Sequence, residues 1–245
     1  MYKRQLKTFR KSILGDASFE GLYGSEEAVK QDIDQYKSWL LKEGDQIIGE
    51  RTSLTLQPQA SFVLMDQHTG EVKALCGGRG QKTASLTLNR ATNVYRQPGS
   101  AFKTITAFAP ALDACGATLG TVYYDAPYTI GSKTFRNWWN SSYGFQGYHN
   151  IREGIIYSMN VIAVRCLMET ITPQLGIEYA ENMGITSLVK EDLGAATALG
   201  GITKGVSNLE LTAAYATIAN GGVYTKPRFY LSLIHISEPT RLQLI

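Results

Sequence analysis

Two hydrophobic periods follow one another along this chain without interleaving, and that order restricts the fold more than any single motif. Between Ala60 and Cys76 the residues alternate and favour strands, in two runs (Ala60–Asp66 and Glu71–Cys76) separated by Gln67-His68-Thr69-Gly70. This spacing predicts a β-hairpin with a glycine-containing turn. From Ser100 onward the period is helical. Ser100–Ala114 is mostly apolar, Asn150–Thr170 opens on a good cap residue, and Ser207-Asn208-Leu209-Glu210 is a capping-box pattern. The last helix continues through Leu211, Ala214, Tyr215 and Ile218 and stops at Asn220-Gly221-Gly222, where glycine can close a helix end. Upstream, Ser25–Glu43 sets Val29, Ile33, Tyr36 and Leu40 on one face, with Ser25 and two glutamates at its start and Gly44 after it, an amphipathic helix. Strands segregated from helices predict an α+β fold and exclude alternating βα units.

Composition narrows the class. With 245 residues, 44% apolar and 18% charged, the chain has material for a packed core, and disordered or fibrous readings fall away. The net charge of +3 is too small for the electrostatic footprint of a nucleic-acid binder. No apolar run of about 18 residues is present, so no membrane span is expected, and MYKRQLKTFRKS has no apolar segment after its charges. Cys76, Cys115 and Cys166 stand far apart, in odd number and without a CxxC pair. They predict neither a zinc site nor a disulfide framework, but three small buried hydrophobes.

The two ends do not match the middle. Leu231–Ile245 (LSLIHISEPTRLQLI) follows the Lys226-Pro227 stop without turn or strand logic. One choice of codons for its first five residues is the reverse complement of a GTG-initiated reading of Met1–Gln5. The ends therefore resemble translated sequencing adapter, and residues 1–5 and 231–245 are expected to be adapter-derived tails. Residues 6–56 are read as a linker with an amphipathic helix, and residues 57–230 as a partial catalytic domain.

Chemistry concentrates in Arg96-Gln97-Pro98-Gly99-Ser100-Ala101-Phe102-Lys103. Pro98 and Gly99 break the chain and Ser100 opens a helix, so Lys103 lies one turn later on the same face. A poorly solvated lysine can be neutral and take the serine proton, and the helix start adds N–H groups and positive dipole for an oxyanion. The other options are weaker. His235 is in the tail, His68 is in the hairpin turn, and His149 has no G-x-S-x-G elbow to serve. Gly77–Thr83 (GGRGQKT) has Gln81 where a phosphate loop needs glycine. A second Ser-x-x-Lys, Ser187–Lys190, sits in a polar region and reads as coincidence. The first copy gains from Ser158-Met159-Asn160, 58 residues on and flanked by GIIY and VIAV. Taken alone that triplet also fits a pair of caps at a helix junction. The aromatic loop residues Trp138, Trp139, Tyr143 and Tyr148 fit a substrate groove or, more commonly, core packing.

The segments FVLMDQHTGEVKALCGGRG, LNRATNVYRQPGSAFK, REGIIYSMNVIAVRC and ATALGGITKGVSNLELTAAYATIANGGVYTKP together resemble the transpeptidase domain of class A, bifunctional penicillin-binding proteins. The resemblance implies that family's fold, shared with serine β-lactamases: an antiparallel sheet with a helical subdomain, here truncated at its C-terminal side. It implies a DD-transpeptidase acting on peptidoglycan stem peptides ending in D-Ala-D-Ala, with Ser100 as nucleophile and Lys103 as its base. Ser158 would relay a proton to the leaving amine, and Asn160 would orient Lys103 and the substrate amide. β-Lactam antibiotics would acylate the same serine, and the reaction would need no metal or organic cofactor. In the family a linker joins this domain to a membrane-anchored glycosyltransferase, which implies the extracytoplasmic face of the cell membrane for the full-length protein. A serine β-lactamase or penicillin-sensing domain is the alternative, and a non-enzymatic scaffold a third. One departure matters: the 245 residues contain no Lys-Thr-Gly triplet, which in the family adds a substrate cation and borders the oxyanion hole. The chain as written is therefore expected to be catalytically impaired.

Overall fold

The computed structural model of the chain describes residues 2–19, 21, 23–47, 49, 58–80 and 85–230. Residue 1 and residues 231–245, most of the expected tails, lie outside the described residues, as does Gln81 of the glycine-rich loop. The chain divides into two units, Met1–Pro58 and Gln59–Ile245.

The first unit holds α1 (Tyr2–Ser12) and α2 (Glu26–Leu40). Ser25 caps α2 by accepting from the Ala28 N–H at 3.2 Å, and Glu26 and Glu27 occupy the first turn. The sequence pattern asks for this arrangement, since a carboxylate there meets the positive end of the helix dipole. Phe9 and Tyr36 are buried with their rings edge to face at 5.3 Å. Arg10 Nε and the Tyr23 hydroxyl both donate to the buried Asp32 carboxylate at 2.6 Å.

The second unit begins with β1 (Phe62–Met65) and β2 (Val72–Cys76), paired antiparallel from Phe62↔Cys76 to Met65↔Val72. This is the hairpin of the sequence pattern. Its turn is held by Asp66, whose Oδ1 accepts from the His68 and Thr69 backbone N–H groups, both at 2.9 Å. Arg228 bridges the outer edge of β2 through bonds to Gly70 and Val72. Among the described residues no strand pairs with the outer edge of β1, and Phe62 and Leu64 are exposed. Such a bare edge invites pairing with another strand.

A continuous helical rod follows: a 3-10 turn at Gly99–Ala101, a π-type stretch at Thr104–Phe108, then α3 (Ala109–Ala114). The wide turn has a cause. Pro110 has no N–H to return to the Thr106 carbonyl, and the Ala109 N–H reaches back five residues to Thr104. The rod is buried between two apolar clusters, Phe102 and Ile105 pointing into one with Ile185, Ile202 and Ala214, and Phe108 and Ala111 into the other with Ile151, Ile162 and Leu167.

Two small antiparallel ribbons flank it. One pairs β3 (Val122–Asp125) with β6 (Gly147–Asn150); the other pairs β4 (Tyr128–Ile130) with β5 (Lys133–Phe135). A short α4 (Asn140–Tyr143) lies between them. The single helix expected over Asn150–Thr170 is instead two: α5 (Ile151–Ile156), capped by an Asn150–Glu153 capping box, and α6 (Asn160–Arg165), which runs into a π-type stretch at Cys166–Thr170. Ser158 breaks the run with φ +50°, a left-handed residue of the kind that ends helices. α7 (Pro173–Asn182) crosses the rod, and α8 (Asn208–Ala219) starts at the predicted Ser207–Glu210 capping box and ends at Asn220.

Several sequence expectations are corrected. Cys166 is buried, but Cys115 is half-buried and Cys76 exposed; Cys76 faces outward on β2, where the hairpin lacks a covering layer. Trp138, Tyr143 and Tyr148 are 74%, 75% and 77% exposed, on the turn before α4, at the end of the one-turn α4 and on β6, none of them an element that faces the core there. Of the four aromatics only Trp139 packs against the core.

Gly176 is where α7 meets the rod. A Cβ there would lie 2.5 Å from the Thr106 carbonyl oxygen and 2.9 Å from Leu167 Cδ1. Gly176→Ala is expected to destabilise by roughly 1–3 kcal/mol, the cost of forcing apart packed elements. Gly120→Ala, whose Cβ would meet only Thr118 Oγ1 at 3.6 Å, is expected to stay within about 0.5 kcal/mol. Urea unfolding of the two variants measures the difference.

Candidate active site

The site is assembled from the Arg96–Lys103 segment and the break between α5 and α6. Gly99 adopts φ +57° and turns the chain into the 3-10 turn that carries Ser100, whose side chain is exposed. Lys103 lies one turn on and is only 2% exposed. Its amine donates three hydrogen bonds: to the Ser158 carbonyl at 2.6 Å, the Ser158 hydroxyl at 3.0 Å and Asn160 Oδ1 at 2.7 Å. Three is the full capacity of an ammonium.

All three acceptors are neutral. Burial alone, unopposed by a carboxylate, pushes the Lys103 amine down from 10.5 to about 8, because a charge out of water is disfavoured. At that value about a tenth of the amine is uncharged at pH 7. The same residue can thus hold a cation's hydrogen bonds and, in its neutral form, accept a proton. The Ser158 hydroxyl accepts from Lys103, which turns its own proton away from the amine.

The α5–α6 break makes this possible. α5 closes with the Met159 N–H on the Gly154 carbonyl at 2.9 Å and the Ser158 N–H on the Ile155 carbonyl at 3.2 Å. Met159 is buried as an anchor, so the left-handed Ser158 turns both carbonyl and hydroxyl to Lys103. Gly154 permits the corner: a Cβ there would come within 2.8 Å of Ile162 Cγ2. Ser158 closes α5 through its backbone, but neither its side chain nor that of Asn160 caps a helix end: Met159 flanks α6 without a side-chain cap, and both side chains go to Lys103. Asn160 Nδ2 donates to the Arg136 carbonyl at 2.8 Å, which leaves Oδ1 for Lys103.

A second layer supports the Ser100 turn. Gly200, at φ +70°, lies so close that a Cβ would be 2.4 Å from the Gly99 carbonyl oxygen and 2.5 Å from its nitrogen. Arg96 and Val206 exchange backbone bonds of 3.0 and 2.8 Å, and Gln97 Nε2 donates to the Ile202 carbonyl at 3.3 Å. The Tyr215 hydroxyl donates to the Ala101 carbonyl at 2.7 Å from α8. The buried Asp192 ties this layer down by accepting from the Thr203 N–H and hydroxyl, both at 2.7 Å. Glycines 200 and 201 stand out in the sequence; Tyr215 shows there only as a position of the last helix, and nothing marks Asp192.

The remaining candidates stay apart from this centre. Ser187 donates to the Gly205 carbonyl at 2.5 Å and precedes no helical turn that would place Lys190 beside it. His149 Nδ1 pairs with Glu153 Oε2 at 3.1 Å. Among the described residues no group of three or more His, Cys, Asp or Glu side chains is placed to hold a metal ion, and no helix is long and apolar enough to cross a membrane.

Comparison with known proteins converges on one family. The family model described as the penicillin binding protein transpeptidase domain matches residues 60–243, a range that runs on past the described residues. The chain is 35% identical over 229 residues to penicillin-binding protein 1A of Clostridium tetani, covering 87% of this chain and 28% of the relative. It is 34% identical over 223 residues to penicillin-binding protein 1F of Bacillus subtilis, covering 91% of this chain and 29% of the relative. Among solved structures, penicillin-binding protein 1A of Haemophilus influenzae superposes with a TM-score of 0.60 at 28% identity, over 69% of this chain and 24% of that one. The chain thus spans less than a third of the length of these relatives, and the matched part contains the hairpin, the rod that carries Ser100, and the Lys103–Ser158–Asn160 hydrogen bonds. On that footing the chain belongs to the penicillin-binding protein transpeptidase family.

Proposed function

We propose that this domain carries out acyl-serine transfer in peptidoglycan cross-linking. The observation that carries the reading is the Lys103 amine, buried, lowered to about 8 and one turn from an exposed serine at a helix start. Neutral Lys103 takes the proton of Ser100, whose oxygen attacks the carbonyl between the two D-alanines of a stem peptide. Backbone N–H groups at the start of the rod favour the oxyanion. Ser158, refilled from Lys103, hands a proton to the departing D-alanine, and an amine of a neighbouring stem then displaces Ser100 from the acyl-enzyme. Asn160 holds Lys103 in register. β-Lactams acylate Ser100 by the same attack, with the ring nitrogen as a leaving group that stays tethered. No metal or cofactor has a part in these steps. The relatives' greater length supports placing the domain in a longer protein; in this reading that protein is membrane-anchored and works at the extracytoplasmic face, where peptidoglycan is cross-linked.

A fluorescent penicillin is expected to label the full-length protein at Ser100, with Ser100→Ala abolishing the label. Labelling that survives Ser100→Ala would overturn the assignment, and rapid release of the label would mark a β-lactamase instead. The 245-residue chain, without a Lys-Thr-Gly triplet, is expected to label about 100 to 1000-fold more slowly, the effect of losing one oxyanion-hole donor.

The labelling rate should rise with pH through a midpoint near 8, the Lys103 value, as the amine loses its proton. Stability should move in the same direction. The folded value lies below the 10.5 of the free side chain, so the cost of burying the ammonium is full below about pH 8 and is relieved as pH rises toward 10.5. A rate flat between pH 6 and 9 would contradict the role of Lys103.

A further inference from the structure

Asn160 can serve Lys103 only while its amide is held the right way round, and the hold comes from two adjacent residues 24 positions upstream. Asn160 Nδ2 donates to the Arg136 carbonyl at 2.8 Å, and the next backbone N–H, that of Val161, donates to Asn137 Oδ1 at 3.1 Å. Arg136 and Asn137 therefore grip the first turn of α6 by two parallel bonds. Asn137 is 5% exposed, and its Nδ2 donates to Asp125 Oδ1 at 2.7 Å. Asp125 is 1% exposed, and its other oxygen accepts from the Gln146 N–H at 2.9 Å.

The hydrogen bonds of Asp125 fix the orientation of Asn137. An ionised carboxylate only accepts, so Asp125 compels Asn137 to present Nδ2 to it and Oδ1 to Val161. That fixes the start of α6, and with the Arg136 carbonyl it leaves Asn160 Oδ1 facing Lys103. Asp125 ends β3 and Gln146 precedes β6, so the anchor for this chain of bonds is a paired ribbon rather than a free loop. Buried polar groups joined in series act as a unit, and a mismatch at one is felt at the others.

We propose that Asn137, oriented by the buried Asp125 carboxylate, is a positioning residue for the Ser100 reaction, setting the first turn of α6 so that Asn160 and Ser158 meet Lys103. The proposal rests on the acyl-serine reading for its consequence but not for its geometry. Its rival is a staple that joins the β3–β6 ribbon to α6 and adds stability alone.

Reciprocal exchange separates the two. In the full-length protein, Asn137→Asp sets two carboxylates face to face, and Asp125→Asn sets two amide N–H groups together. The double variant Asp125→Asn/Asn137→Asp exchanges donor for acceptor between the two side chains and retains all three hydrogen bonds. Three quantities are read: the fluorescent-penicillin acylation rate per folded molecule, its pH midpoint, and the Lys103 midpoint from 13C-lysine NMR, assigned by Lys103→Arg. The single variants are expected to acylate about tenfold more slowly, with both midpoints falling by about one pH unit as the ammonium loses an acceptor. The double variant is expected to recover the rate to within about threefold and the midpoints with it.

Single variants that melt earlier yet acylate at the parent rate, with unchanged midpoints, would overturn the proposal in favour of the staple. If neither single variant folds, a folded double variant that fails to recover the midpoints overturns it equally. A parent protein that does not acylate, while the Lys103 midpoint falls in the single variants and returns in the double, would sink the acyl-serine reading and uphold the positioning.

Discussion

A lysine amine buried among neutral oxygens is the constraint from which the rest of this domain follows. Among the described residues no carboxylate balances Lys103, and burial lowers its amine. An unpaired ammonium in such a place is costly unless every N–H finds an acceptor. The protein meets this demand with one short turn, taking a carbonyl and a hydroxyl from Ser158 and an amide oxygen from Asn160. A carboxylate partner would hold the amine more firmly and raise its proton affinity, which is the opposite of what a base near neutral pH needs. Neutral acceptors satisfy the ammonium while leaving it able to let go of its proton.

Much of the surrounding architecture serves that arrangement. The left-handed Ser158 costs backbone energy, typically of order 1–3 kcal/mol for a residue held in such a region, and it persists because Met159 is buried beside it and α5 and α6 pack closely at Gly154. On the serine side the same logic uses glycine: Gly99 takes the positive φ that turns the chain, and Gly200 lets a second backbone lie directly against it. The rod between the two clusters keeps Phe102 and Ile105 fully buried, so Ser100 and Lys103 keep a fixed separation while only the serine looks outward.

Parts of this were legible in the sequence because they are local. The hairpin shows as alternation, the α8 cap as Ser207 and Glu210, and the Ser100–Lys103 pair as four residues after a Pro-Gly break. Ser158 and Asn160 were legible as a triplet, though their meaning depended on a partner nearly 60 residues away. What the sequence hid is what only tertiary contact defines. A helical period runs unbroken through Ser158, since Met159 and the apolar residues around it satisfy a helix as well as a corner. The wide turn before Pro110 leaves the period intact too. Asp125, Asn137 and Tyr215 are ordinary polar residues until the fold buries two of them in series and sets the third against the Ala101 carbonyl. The exposed Trp138 and Tyr148 set aside the core-packing reading of these rings and leave the groove reading, a choice that aromatic content alone does not make.

In the proposed reaction Ser100 takes the acyl group of a peptide ending in D-Ala-D-Ala under the control of Lys103. The most direct measurement is mass spectrometry of the full-length protein after brief exposure to such a stem peptide, quenched in acid and digested. The expected result is a Ser100-containing fragment heavier by the stem peptide less one D-alanine, with free D-alanine released in equal amount and accumulation faster at pH 8 than at pH 6. An adduct on any other residue, or released D-alanine with Ser100 replaced by alanine, would contradict it.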